Sequence, residues 1–445
     1  MENLTGMSLI ASVRRWFAKV SPPRLLVLGF GLVILIGTLL LWAPFSHKPG
    51  ISLTFLEALF EATSAVCVTG LTVVGVGNTF NFFGQFVMAV LIQIGGMGVV
   101  LLSIAFILIA GGRVGYKTRA LFIQAQNLFG FSGLVILAKK IFKIIFLVES
   151  VCALLYWPIF ALDYGPWHGL GIALFHSVSA FNNAGFDILG GTDSLISYAN
   201  NVPLCLITSF EVILGAFGFL SLIDLIRNKC RWKRLNLTTK ICIYMTTILL
   251  LGGTLLLKIT TSQTWLESWF QSVIARTAGF ATVPLADFSS AGIVIFSILM
   301  FIGANPNSTG GGVKTTTVFV AGLKAISSSS AHDEDSCFHR KISGIVFDKA
   351  FTVLYFAIFV VISGAFLILT FQPQLDITQV FVEVISAFGT VGSSMGVTAD
   401  LNCFSRLVII IIMFIGRLGP VTIAGIVVAG TARSARYTEE DVLIG

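Results

Sequence analysis

Long uncharged apolar stretches, Leu25–Trp42 and Phe86–Ile109 among them, run through this chain. They approach or exceed the roughly 20 residues that cross a bilayer as helix. In hydrocarbon every backbone amide and carbonyl must be bonded within the chain, so such runs form helices; barrel strands would alternate apolar and polar residues. Of the 445 residues 56% are hydrophobic and 11% charged, against about a quarter charged in a soluble domain. The chain reads as a polytopic membrane protein.

The net charge of +7 does not point to nucleic acid. Most of the 28 Lys and Arg fall in five places: the N-terminus (Arg14, Arg15, Lys19, Arg24), residues 113–143, 227–240 and 324–349, and the C-terminal tail. Basic loops mark the cytoplasmic side. Both termini are therefore expected there, in a multi-pass protein of the cell (inner) membrane in contact with lipid. The intervening loops, with little more than Lys48, Lys258 and Arg406, face outside. Seven dispersed cysteines form no CxxC pair or disulfide framework, and the five histidines have no metal spacing. No cofactor is expected beyond a transported ion. Neither His-Glu-x-x-His nor Gly-x-Ser-x-Gly occurs, which argues against an intramembrane enzyme.

Between the apolar runs lie short glycine-bearing stretches with a common spacing. Ser386-Ala387 precedes Gly392 by the interval that separates Ser64-Ala65 from Gly70 and Ser179-Ala180 from Gly185, and a looser copy is Arg276–Phe280. A dehydrated cation needs several oxygens at once, and rings of backbone carbonyls supply them without a charge that would trap it. Glycine tolerates the positive φ that turns carbonyls toward an axis. The candidate ion-contacting residues are Val68, Thr69 and Gly70; Asn183, Ala184 and Gly185; Thr277, Ala278 and Gly279; and Thr390, Val391 and Gly392.

Each copy sits in the same frame of span, half-helix, glycine stretch and returning span. The first repeat (residues 1–111) reads Leu25–Trp42, Thr54–Ala65, Val66–Val73 and Phe82–Ala110. The second (112–230) reads Ile144–Leu162, Leu170–Ala180, Phe181–Phe186 and Val202–Ile226. The third (231–330) reads Ile241–Ile259, Trp265–Ala275, Arg276–Thr282 and a return beginning near Ala291. The fourth (331–445) reads Val346–Phe371, Thr378–Ala387, Phe388–Gly396 and Leu407–Gly430. The expected architecture is all-α: eight transmembrane helices plus four re-entrant pore helices, arranged as a fourfold pseudo-symmetric ion-channel-like pore. Backbone that re-enters at membrane depth is tolerated only where protein or a water-filled cavity surrounds it.

The return of the third repeat is interrupted by residues 303–312, Gly-Ala-Asn-Pro-Asn-Ser-Thr-Gly-Gly-Gly, followed by Val313 and Lys314. Proline and three consecutive glycines make a continuous helix there improbable. Val313 between Gly312 and Lys314 breaks the order that a phosphate-binding loop needs. Intramembrane charges are few: Glu149, Glu211, Arg276, Lys314 and Arg417, each costly in hydrocarbon and hence a functional candidate. Glu149 and Glu211 could also be paired structural groups. His176, in a half-helix, reads as a hydrogen-bonded packing residue.

The ordered set Val68-Thr69-Gly70-Leu71, residues 179–186 (Ser-Ala-Phe-Asn-Asn-Ala-Gly-Phe), Arg276–Phe280 and residues 386–392 (Ser-Ala-Phe-Gly-Thr-Val-Gly) resembles the Trk/Ktr/HKT superfamily. So do residues 413–420, Met-Phe-Ile-Gly-Arg-Leu-Gly-Pro. With a first span expected near residue 24 and no extra N-terminal helices, the chain is more similar to the KtrB type than to the longer TrkH type. The resemblance implies potassium uptake, one pore per subunit, a homodimer, and a cytoplasmic ring of nucleotide-binding regulatory subunits. It also implies a gate below the filter at Asn305, Gly310, Gly311, Gly312, Lys314 and Arg417. A sodium-selective member or a sodium–potassium symporter is the alternative; glycine in all four stretches favours potassium, since sodium-selective relatives place serine in the first. Departures from the pattern are Ser393, Val66-Cys67 and Ala275.

Overall fold

The computed structural model describes residues 22–98, 100–102, 104, 107, 115, 118, 119, 121, 123, 134–190, 194–328 and 336–419. Arg14, Arg15 and Lys19, most of the 113–133 loop, residues 329–335, and the last span beyond Gly419 lie outside the described residues.

Among the described residues four helices are long and apolar enough to cross a membrane: α1 (Pro22–Trp42), α4 (Leu134–Tyr164), α8 (Leu237–Thr260) and α12 (Gly344–Phe371). They match the first span of each predicted repeat. Each is followed by a short helix: α2 (Phe55–Cys67), α5 (Pro166–Phe181), α9 (Trp265–Ile274) and α13 (Ile377–Gly389). The starts of these short helices are chemically fixed. Thr54 with Glu57 and Thr264 with Glu267 form reciprocal capping boxes, and Asp376 accepts the Thr378 and Gln379 amides. Such caps are each worth about 1 kcal/mol. Pro166, whose missing amide costs nothing in a first turn, opens α5 four residues before the predicted start. An antiparallel pair of two-residue strands, Ser336–Cys337 with Arg340–Lys341, is the small exception to the all-helical expectation.

The returning helices correct the sequence reading. They were expected to run unbroken over Phe82–Ala110, Val202–Ile226 and Leu407–Gly430. Instead α3 (Phe82–Met97) stops at Gly98, α6 (Val202–Ala216) at Gly218, and α14 (Cys403–Leu418) at Gly419. All three glycines have φ between 81° and 93°. In the second repeat the chain continues as α7 (Phe219–Arg227) after a bend of 96°. Three residues before each break a second glycine leaves no room for a side chain: a Cβ at Gly95, Gly215 or Gly416 would strike the carbonyl of Val66, Phe181 or Phe388. Each return thus lies directly against the end of its own short helix. In the third repeat α10 (Ser290–Phe301) ends at the predicted interruption, and the chain resumes as α11 (Thr315–Ser328).

The buried apolar residues form clusters behind the short helices. The largest joins the first and fourth repeats and includes Phe60, Phe80, Ala357 and Phe388; a second joins the second and third around Tyr156, Phe160, Phe270 and Phe280. Both pack against residues of the short helices near their C-terminal ends.

Candidate functional site

The four glycine stretches share one backbone pattern. Val68, Asn183, Thr277 and Thr390 have φ of 57°, 59°, 97° and 51°, and the glycines two residues later have φ of 91°, 71°, 67° and 95°. Thr69, Ala184, Ala278 and Val391 between them stay outside the left-handed region. Three β-branched or amide side chains and a second threonine at positive φ cost energy that the surroundings must offset, and such backbone clusters at functional sites. The amides turn back into the preceding helix: Thr69 N–H donates to Ser64 O (2.8 Å), Ala184 to Ser179 O (2.7 Å), Ala278 to Ile274 O (2.9 Å) and Val391 to Ser386 O (2.9 Å). Gly70 and Gly392 amides are taken by the Ser64 and Ser386 hydroxyls at 3.1 and 3.0 Å. Ser64 and Ser386, picked out by spacing, therefore anchor their turns through their hydroxyls, and Ser179 does so through its backbone carbonyl. In the first and fourth stretches the amides of the last two residues are therefore both occupied.

The stretches close on one another. A Cβ added to Gly70 would meet Ala184 O; one on Gly185 would meet Ala278 O; one on Gly279, Val391 O; and one on Gly392, Thr69 O. Each glycine lies over a carbonyl of the next stretch, and the fourth returns to the first. In every stretch the glycine is partly exposed while the two preceding residues are buried. The side chains before each glycine are thus buried in the protein, and the glycine backbone is the more exposed part of each stretch.

Directly beside this ring lies the 303–314 loop. Its base is closed by a bridge between Ile302 and Val313, with Gly303 N–H donating to Val313 O at 2.9 Å. The loop nests in the bend of the second repeat, where Asn305 N–H donates to Ala216 O (3.1 Å), Thr309 N–H to Gly215 O (3.2 Å) and Phe219 N–H to Asn307 O (2.7 Å). It also bonds the first residues of the ring stretches. Thr309 Oγ1 donates to Phe181 O and pairs with Asn183 Oδ1 at 3.0 Å, Asn183 Nδ2 reaches Thr277 Oγ1 at 3.1 Å, and Gly311 N–H donates to Thr390 Oγ1 at 2.9 Å. Gly310 leaves no space for a side chain beside Thr277.

Two cations sit at this loop. The Lys314 ammonium donates to Gly310 O at 2.7 Å. The Arg417 guanidinium donates to Thr309 O in the loop and to Gly95 O and Gly96 O in α3. Arg417 thereby ties the loop to the first repeat from the fourth. The fully buried Asn305 bonds Thr246 Oγ1 at 3.0 Å and accepts from Thr315, pinning the other end of the loop.

A family model described as a cation transport protein, TrkH, matches residues 26–261 and 231–434. The chain belongs to the TrkH family of cation transport proteins. It is 37% identical to Ktr system potassium uptake protein B of Bacillus subtilis (strain 168), over 97% of this chain and 98% of that one. It is 35% identical to the potassium/sodium uptake protein NtpJ of Enterococcus hirae, over 96% and 98%. The crystal structure of the potassium transporter TrkH from Vibrio parahaemolyticus shares the fold, with a TM-score of 0.67 and 24% identity, covering 90% of this chain and 84% of that one. Family membership favours the transporter reading over an enzyme or a receptor.

The remaining intramembrane charges of this TrkH-family chain lie behind the ring. Glu149 and Glu211 form no ion pair among the described residues. Asn182 Nδ2 donates to Glu149 (3.1 Å), and Ser177 and Tyr156 hydroxyls donate to Glu211 (2.5 and 2.8 Å). Arg276 is 3% exposed, and its Nε and Nη2 find no acceptor among the described residues beside a cavity of about 10 Å³ shared with Thr246 and Asn305. His176 bonds Thr208 at 3.0 Å and packs on Tyr156 and Phe280 rings, as a packing residue does. Sequence reasoning overlooked Thr309, whose hydroxyl and carbonyl both join the loop to its neighbours, and the Gly95 and Gly96 carbonyls that receive Arg417. The Gly-x-x-Gly spacing shared by Gly95, Gly215 and Gly416 was a signal for the latter.

Proposed function

We propose that the chain carries potassium inward across the cell membrane. The ion passes through a filter made by Val68, Thr69 and Gly70, Asn183, Ala184 and Gly185, Thr277, Ala278 and Gly279, and Thr390, Val391 and Gly392. The closed circuit of four glycines, each over a carbonyl of the next stretch, is the observation that carries this reading. A ring of carbonyls replaces the hydration shell of an alkali cation, and multiple weak ligands let it leave again. Short helices ending at the ring aim the negative ends of their dipoles at the ion path.

In this reading the short helices are four re-entrant pore helices, and the broken returns complete eight spans in four repeats with boundaries at 111, 230 and 330. The gate is the 303–314 loop, held by Asn305, Gly310, Gly311, Gly312 and Lys314 and latched by Arg417. A homodimer and a cytoplasmic ring of nucleotide-binding subunits are proposed from the family likeness, with both termini in the cytoplasm. Potassium is favoured by glycine at all four ring positions and by the relative named for potassium uptake. A sodium-carrying or sodium-coupled mode is the second reading, supported by the relative named for potassium and sodium uptake.

Rubidium-tracer uptake into liposomes containing the purified chain tests the proposal. Uptake that excess potassium suppresses and excess sodium does not is expected. Equal suppression by both ions favours the sodium reading, and no cation uptake contradicts both.

A further inference from the structure

Each short helix carries one buried polar side chain a little over two turns before its ring glycine. Glu61, His176 and Glu383 stand nine residues before Gly70, Gly185 and Gly392, and Gln271 stands eight before Gly279 in the shorter third stretch. All four are at most 2% exposed. Three of them turn back onto the chain that leaves their own ring position. Glu61 Oε1 accepts the Val73 and Val74 amides at 2.8 and 3.4 Å. Glu383 accepts the Ser394 and Thr398 hydroxyls at 2.6 and 2.5 Å, and these hydroxyls also bond each other at 3.1 Å. Gln271 Nε2 donates to Val283 O at 3.3 Å and Thr282 Oγ1 at 3.5 Å. His176 differs: its ring bonds Thr208 in α6 and packs 4.8 Å from the ring of Phe280, in the third stretch.

The segments leaving the ring are irregular, so their polar groups need partners outside a helix ladder. An amide suffices in the third repeat. The first and fourth use a glutamate, which costs more to bury; Glu383 takes one hydroxyl on each of its oxygens, whereas Glu61 takes both amides on Oε1. The two carboxylates serve adjacent stretches, since Gly392 lies over Thr69 O.

We infer that Glu61 and Glu383 are positioning residues that fix the outer limbs of the first and fourth filter stretches, so that ion selectivity depends unequally on the four repeats. The inference rests on the filter reading above. It predicts that the side of the ring built by the first and fourth repeats loosens when either carboxylate is removed, while the ring still conducts.

The test reconstitutes the full chain and reads the potassium-to-sodium permeability ratio together with the melting temperature. Glu61→Ala and Glu383→Ala are each expected to lower the ratio about tenfold, the equivalent of roughly 1.4 kcal/mol and within the range for losing a buried hydrogen bond. Glu61→Gln and Glu383→Gln keep an acceptor and should recover most of the ratio. A lowered melting temperature with an unchanged ratio overturns the inference, because that is the signature of a merely structural brace. If the alanine variants do not fold, the double variant Ser394→Ala, Thr398→Val removes the donors to Glu383 with little change in volume. An unchanged ratio there overturns the inference equally. Gly70→Ser is run alongside. If it shifts the ratio and the glutamate variants do not, the brace alone is wrong; if neither does, the filter reading falls.

Discussion

Arg417 shows how much one side chain can connect. An unpaired guanidinium costs at least about 2.5 kcal/mol at the centre of a span, yet here it is half-buried and bonded to Thr309 O, Gly95 O and Gly96 O. The need for acceptors in the interrupted loop was legible from sequence, because flanking Gly416 and Gly419 permit close approach. The partners in α3 were not, because three-dimensional proximity between the first and fourth repeats leaves no local trace. Arg417→Gln keeps some donors and removes the charge. Basal flux should rise about tenfold, in line with losing charge-assisted hydrogen bonds, with a weaker dependence on the proposed regulatory subunit. The melting temperature should stay near that of the wild type; a large drop without a gain in flux would mean that Arg417 only braces the fourth stretch. The serines at positions 64, 179 and 386 were also readable from spacing alone, whereas Glu61 and Glu383 were passed over inside apolar helices.

Among the elements, the 303–314 loop is separable from its frame. The Ile302–Val313 bridge brings the ends of the loop together before it begins, so excision of Asn305–Gly312 should be bridgeable. That deletion removes the loop partners of Asn183, Thr390 and Arg417, and it should raise basal flux in a folded protein. Loss of flux from a well-folded deletion variant would assign the loop a purely structural role. The short helices give a second expectation. Thr54→Ala or Thr264→Ala removes a capping box and should lower stability by about 1 kcal/mol, measured by thermal unfolding, with selectivity unchanged. Helix starts of this kind were legible, since Thr and Glu three residues apart announce them. The breaks at Gly98, Gly218 and Gly419 were not. Apolar periodicity runs through a glycine without a sign, and only the tight approach of Gly95, Gly215 and Gly416 to the short-helix ends explains why the chain must turn there.

For the whole molecule, the four glycine stretches were legible in their spacing, while their closure into one circuit depends on contacts between distant parts of the chain. The proposed orientation has a direct check in the native cysteines. Cys403, exposed at the start of α14, lies on the capped side of the short helices; Cys230, also exposed, lies in the basic 227–240 loop. A membrane-impermeant thiol reagent added to intact cells should modify Cys403 and spare Cys230, and the reverse pattern would invert the topology. The central claim is that four glycines form one potassium-selective ring. The most direct measurement is the potassium-to-sodium permeability ratio of the purified chain in liposomes, compared with Gly70→Ser. A side chain at Gly70 would meet Ala184 O at a φ of 91°, so a ratio well above one is predicted to collapse toward one in the variant with the protein still folded. An unchanged ratio in a folded Gly70→Ser protein would contradict the account.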